Sequence, residues 1–136
     1  MSIDTATGKE APAEISSERV KDIFSSIAKK YERFNAVSSF GAYKAWLAGM
    51  MRQAPIKETD DVLDIAGGTG EVSFTVARTK HPAHIQCTDL VDEMLDVARA
   101  HVEFEGKNCN VPIDFEVVDA QNIPYADNSY NAITMA

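Results

Sequence analysis

The stretch VLDIAGGTGE, residues 62–71, is where this chain has the means to do chemistry. Its apolar residues read as a strand, its glycines as a tight turn and the residues after them as the start of a helix. A turn made of Gly67, Gly68, Thr69 and Gly70 carries few Cβ atoms, so its amides can lie close to a ligand at the positive end of a helix. Two cofactor classes use such turns. A dinucleotide fold needs GxGxxG, but Ser73 stands where the third Gly or Ala belongs. Asp64 at the strand end suits a cationic group, an amine or a sulfonium, better than a pyrophosphate. The plainer alternative is a strand-to-helix turn with no ligand at all.

Two further carboxylates fall in register with that turn. Asp89 closes the next strand, 19 residues after Gly70. There it can accept two hydrogen bonds from the ribose diol of an adenosine-containing cofactor. Asp119 and Ala120 follow the third strand, where a carboxylate can accept from an adenine amino group and the next amide can read the ring. An isolated Asp at a strand end is usually a turn former; it is the common register that gives these residues weight. His81 and His84 form an HxxH across a loop-to-strand junction, which does not set both rings on one helix face, so they read as surface histidines and no metal site is expected. No serine or cysteine nucleophile has its partners.

The elements that must position these residues follow from periodicity. Residues 1–15 are small and polar, a tail. Val20, Ile23, Phe24, Ile27, Ala28, Tyr31 and Phe34 mark one face of a helix. A second helix covers about 40–53, with the stripe Tyr43, Trp46, Leu47, Met50 and Met51 expected in the core and Pro55 marking its end. From residue 60 strands and helices alternate: a buried strand at 61–66, a helix at 71–80, a strand at 84–88, and a helix carrying Val91, Met94, Leu95, Ala98 and Val102. A strand at 113–117, a turn ADNS at 126–129 and a last strand at 130–136 complete the series. Such alternation predicts an α/β fold with a parallel sheet and right-handed crossovers. The expected units are a tail (1–15), an N-terminal helical lobe (16–57) and a cofactor-binding part (58–136).

Composition narrows the function classes. The chain has 136 residues, 45% of them hydrophobic and 25% charged, a globular profile with a net charge of −8. The charge is uneven, +5 over 16–57 and −9 over 61–136. The acidic part would repel phosphates, so nucleic acid is not an expected partner. The basic lobe allows peripheral contact with an anionic membrane surface. The longest apolar run, AWLAGMM, has seven residues, against the roughly 20 needed to span a bilayer. With no signal peptide the expected location is the cytoplasm, at most peripheral to the inner face of the membrane. Cys87 and Cys109 fit neither a disulfide framework nor a zinc ribbon.

VLDIAGGTGE, CTDLVDEMLDVAR and VVDAQNIPYADNSYNAITMA resemble the three cofactor motifs of S-adenosylmethionine-dependent methyltransferases. The leader VKDIFSSIAKKYERFNAVSSFGAYKAW is more specific. With Tyr31, Glu32, Asn35, Ser39, Phe40, Gly41 and Trp46, it is similar to that of the ubiquinone/menaquinone biosynthesis C-methyltransferase family. The resemblance covers about 20–136. It implies a doubly wound Rossmann-like fold and S-adenosyl-L-methionine as cofactor. Asp64, Gly67, Gly68, Thr69 and Gly70 would hold the methionine part, Asp89 the ribose, and Asp119 with Ala120 the adenine. Tyr31 and Asn35 are the substrate candidates, though Tyr31 also lies on an apolar stripe, and no catalytic base is assigned.

The implied reaction methylates a ring carbon of a demethylmenaquinol-type quinol bearing an isoprenoid tail. Other readings are a methyltransferase with another small acceptor and a non-catalytic cofactor-binding module or half of a split enzyme. The family's next segment, an aromatic-Gly-x-Arg-Asn run, does not appear. The expectation is therefore a fold truncated after its fourth strand, inactive alone and prone to self-association along the edge of that strand.

Overall fold

The computed structural model describes residues 18, 19, 21, 22, 42–105 and 110–135. Residues 18, 19, 21 and 22 are helical and exposed. The expected tail, most of the expected helix with Tyr31 and Asn35, and Ala136 lie outside the described residues. The elements are α1 (Ala42–Gln53), β1 (Asp61–Ile65), α2 (Glu71–Lys80), β2 (His84–Asp89), α3 (Asp92–Glu105), β3 (Ile113–Val117) and β4 (Ala132–Met135).

The four strands are all parallel and run in the order β3-β2-β1-β4. The chain builds outward from β1 to β3, then crosses back to place β4 on the other side of β1. That reversal is the switch point of a doubly wound, Rossmann-like sheet, beside which such folds bind ligands at the carboxyl ends of their strands.

Register divides the sheet into two faces. Val62 pairs with Ile85 and Ala132, and Ile85 with Ile113; because side chains alternate along a strand, these four share one face. Leu47 and Met51 of α1 and Val72, Val76 and Ala77 of α2 pack on it. Val62, Val76, Ala77 and Ile85 are fully enclosed, each large aliphatic side chain contributing about 1.5–3 kcal/mol relative to exposure. α3 lies against β2 and β3. On the other face of β4, Ile133 and Met135 are 63% and 70% exposed.

Three expectations need adjustment. The α1 stripe does not go into the core whole: Leu47 and Met51 are buried, while Tyr43, Trp46 and Met50 are exposed among the described residues. Leu47 and Met51 are four apart and form one ridge, which meets the sheet and α2; the other three lie around the helix from it. β2 runs one residue further, through Asp89, whose peptide oxygen accepts Val118 N–H at 2.9 Å. β4 begins at Ala132, since Asn131 is occupied with Asp61. Its amide donates to the Asp61 carbonyl at 2.9 Å, and its side-chain oxygen accepts the Asp61 amide at 2.8 Å. The turn before β4 has Asn128 in the left-handed region and Ser129 Oγ donating to the Ala126 carbonyl.

Candidate functional site

The carboxyl ends of β1, β2 and β3 bring the glycine turn, Asp89 and Asp119 together along one edge of the sheet. After β1 the chain turns through a left-handed Ala66 (φ 54°), Gly68 (φ 57°) and Gly70 (φ 89°). Gly67 N–H donates to the Thr88 carbonyl at 2.8 Å, tying the turn to β2, and Gly70 N–H donates back to Gly67 at 2.9 Å. Phe74 N–H then donates to the Gly70 carbonyl, the first bond of α2.

Asp89 is the joint between loops. One carboxylate oxygen accepts Gly68 N–H and the other accepts Val91 N–H, both at 2.9 Å. The glycine turn and the start of α3 are thereby fixed to one half-buried side chain. Each oxygen keeps a further lone pair, so the group can accept from a ligand as well. Asp119 sits one residue past the Val118 that is bonded to Asp89; its Oδ1 accepts Gln121 N–H, closing a tight turn around the exposed Ala120.

The glycines have different reasons to be glycine. A Cβ on Gly68 would lie 3.9 Å from Asp89 Oδ2 and 3.3 Å from the Met94 methyl group, close enough that Met94 would have to give, and at φ 57° a side chain there would be strained as well. A Cβ on Gly70 would lie 2.7 Å from the Phe74 ring and 3.2 Å from Ala98 Cβ, and one on Gly67 would lie 2.5 Å from Cys87 Sγ. Gly67 and Gly70 thus let strand and helices close up. Thr69, 7% exposed, is also inward.

Asp64, expected to face a cationic ligand group, is 1% exposed. Its Oδ2 accepts Ser73 Oγ–H at 2.6 Å and its Oδ1 accepts Thr134 Oγ1–H at 2.8 Å. Burial pushes its pKa above the ordinary aspartate value. The Ser73 and Thr134 hydroxyls and the Ser73 amide pull the other way, and the charge of Asp89 adds to the upward shift. Cys87 beside it is pushed up to about 12, mainly by burial and then by the Asp64 charge.

Sequence reasoning missed Ser73, Thr88 and Thr134 as parts of the site. The available signal is a hydroxyl inside an otherwise apolar strand or helix, as in AITM, IQCT and EVSF. His84 lies at the opposite end of β2, its Nε2 2.8 Å from Asp114 Oδ2. No helix among the described residues is long and apolar enough to cross a membrane.

Comparison with known proteins places this geometry in a lineage. The chain is similar to the ubiquinone/menaquinone biosynthesis C-methyltransferase UbiE of Rhizobium meliloti strain 1021, 33% identical over 136 residues, 98% of this chain and 50% of that protein. The chain spans about half the length of the curated relatives it matches. Among solved structures, the [4+2]-cyclase SpnF aligns with a TM-score of 0.70 at 18% identity, over 92% of this chain and 50% of that one, a likeness of fold alone. A Haemonchus contortus phosphoethanolamine N-methyltransferase 2, in complex with S-adenosyl-L-methionine, aligns with a TM-score of 0.55 at 27% identity, over 65% of this chain and 20% of that one. Residues 13–136, from before the leader through β4, match the sequence model of the ubiE/COQ5 methyltransferase family, and the chain belongs to that family.

Proposed function

We propose that the chain carries the cofactor site of an S-adenosyl-L-methionine-dependent C-methyltransferase of quinone biosynthesis, with a demethylmenaquinol-type ring as acceptor. The observation that supports it most is Asp89, held by the Gly68 amide of the glycine turn and the Val91 amide just before α3, with a lone pair on each oxygen still able to accept from a ligand. The residues fit the cofactor. Asp89 would accept from the ribose hydroxyls, Asp119 and the Ala120 amide would meet the adenine, and Gly68 in its turn would meet the methionine part. The bound cofactor supplies a sulfonium methyl group. This chain's part is to hold it in one orientation and keep water from it, so that an acceptor carbon meets the methyl in line. The quinol would lose a hydroxyl proton, and its ring carbon would take the methyl as the methyl–sulfur bond breaks to leave a neutral thioether. The ring hydrogen on that carbon would then leave as a proton and the hydroxyl regain one; no residue is assigned as the base.

The acceptor's isoprenoid tail places it in a bilayer, which supports work at the inner, cytoplasmic face of the membrane. Tyr43 and Trp46, both exposed, stand on α1 with Lys44 and Arg52, in the stretch with a local charge of +5. Aromatic and basic side chains together favour a lipid headgroup region.

Calorimetric titration with S-adenosyl-L-methionine tests the cofactor. Asp89→Ala removes hydrogen bonds to a charged acceptor, about 1.5–3 kcal/mol, or roughly ten- to 150-fold in affinity. Equal binding by Asp89→Ala and the parent would overturn the site. Labelled-methyl transfer tests the acceptor: incorporation into another small molecule, with none into demethylmenaquinol, would refute the quinol assignment.

A further inference from the structure

A polar cluster lies under the glycine turn, shut off from any ligand. Asp64 is 1% exposed, Ser73 and Cys87 are 0% and Thr88 is 2%. Three elements supply its donors: Ser73 of α2 through both hydroxyl and amide, Thr134 of β4 through its hydroxyl, and Thr88 of β2, whose Oγ1 donates to the Asp64 carbonyl at 3.0 Å. The Thr88 carbonyl in turn accepts Gly67 N–H. Gly67 sits directly on the cluster, its Cβ position only 3.0 Å from Asp64 Oδ2. An apolar residue at position 64 would pack the same space without a buried charge, so core packing alone gives no reason for this carboxylate.

We propose that Thr134 and Ser73 are positioning residues for cofactor binding. By holding the Asp64 carboxylate inward, they fix the seat of the glycine turn and, through Gly68 N–H, the placement of Asp89. β4 contributes no residue to the expected ligand contacts, yet through Thr134 it sets the geometry of a site built by β1, β2 and β3. The inference rests on the reading that this site binds S-adenosyl-L-methionine.

The titratable groups acting within the cluster are Asp89, at the end of β2, and Cys87, in the same strand. The charge of Asp89 opposes a negative charge on Asp64 and the hydroxyls favour it, while Cys87, its thiol pushed up to about 12, is uncharged at the pH values of interest. Removing one hydroxyl therefore raises the pH at which Asp64 takes up a proton. The test is titration of S-adenosyl-L-methionine into the parent, Thr134→Val, Thr134→Ser and Ser73→Ala at pH 6 and pH 8, with urea unfolding of each in parallel. Thr134→Val is expected to bind roughly five- to tenfold more weakly. The loss should be larger at pH 6 than at pH 8, and Thr134→Ser should return affinity to within about twofold of the parent. Ser73→Ala should weaken binding in the same pH-dependent way without touching β4, which keeps the idea testable if Thr134→Val does not fold. Folded Thr134→Val or Ser73→Ala with parental affinity at both pH values would overturn the proposal, whatever happens to stability. A parent that does not bind S-adenosyl-L-methionine would instead overturn the cofactor reading, and the inference with it.

Discussion

Gly70→Ala adds one methyl group and should cost the fold heavily. Gly70 caps α2 at φ 89°, ψ 10°, and an L-residue in the left-handed region is strained by roughly 1–2 kcal/mol. The new Cβ would also stand 2.7 Å and 3.0 Å from two atoms of the Phe74 ring and 3.2 Å from Ala98 Cβ. Phe74 is 4% exposed and meets the His101 ring at 6.0 Å, so it has little room to swing away. Overpacking of this kind costs about 1–3 kcal/mol. Alanine stiffens the unfolded chain, which offsets about 0.4–1 kcal/mol. The net expectation is a destabilisation of roughly 2–4 kcal/mol, read as a lowered urea midpoint by circular dichroism. Combining Gly70→Ala with Phe74→Leu separates the contributions. If the ring carries the overpacking, the double variant recovers part of the loss, with a coupling of about 1 kcal/mol or more. Gly70→Ala within about 0.5 kcal/mol of the parent, or strict additivity with Phe74→Leu, would refute this reasoning.

Ala66, at φ 54° and exposed, should behave in the opposite sense: Ala66→Gly relieves the left-handed strain and is expected to stabilise by about 0.5–1 kcal/mol in the same urea assay. Asp64→Asn should weaken S-adenosyl-L-methionine binding and yet raise stability at pH 8. Burial raises the Asp64 pKa in the folded chain, so the folded state holds the extra proton and parental stability falls as pH rises from the unfolded value to the folded one. The advantage of Asp64→Asn should thus grow with pH across that window and vanish below it; urea unfolding from pH 4 to pH 8 would show a parallel offset if this is wrong. We also expect self-association along β4, the edge of the described sheet, where Ile133 and Met135 are exposed and no residue is charged. Ile133→Lys should shift sedimentation toward monomer, and an unchanged profile would place any association elsewhere.

The elements were legible because hydrophobic period separates strands from helices, and alternation of the two dictates a parallel sheet. The glycine turn and Asp89 were legible too, since their register along the chain follows from strand and helix lengths. What periodicity cannot supply is whether a face is covered. Leu47 and Trp46 are neighbours on one apolar stripe, but only Leu47 meets the sheet. Nor can it pair hydroxyls with a carboxylate. Ser73 and Thr134 stand 9 and 70 residues from Asp64, and Thr134 meets it only because β4 returns to lie against β1. For the same reason Gly67, Gly68 and Gly70 look alike in sequence. Their neighbours Cys87, Met94 and Phe74 come from two further elements and from the helix they open.

A strand-to-helix turn without a ligand has no use for two of the features seen here. Ala66 stands in the left-handed region, where a glycine would be relaxed, and so raises the energy of a loop that also turns through left-handed Gly68 and Gly70. The buried Asp64 carboxylate is unfavourable on its own and needs the donors of Ser73 and Thr134 to be tolerated. Both features act on the same few ångströms of backbone: the carboxylate braces Gly67 from below while the left-handed residues turn Gly68 N–H toward Asp89. A loop selected for stability alone would relax the first and delete the second. Their coincidence beside the switch point of the sheet is what a preorganised ligand contact requires, because a turn already held in its binding geometry loses little freedom when the ligand arrives.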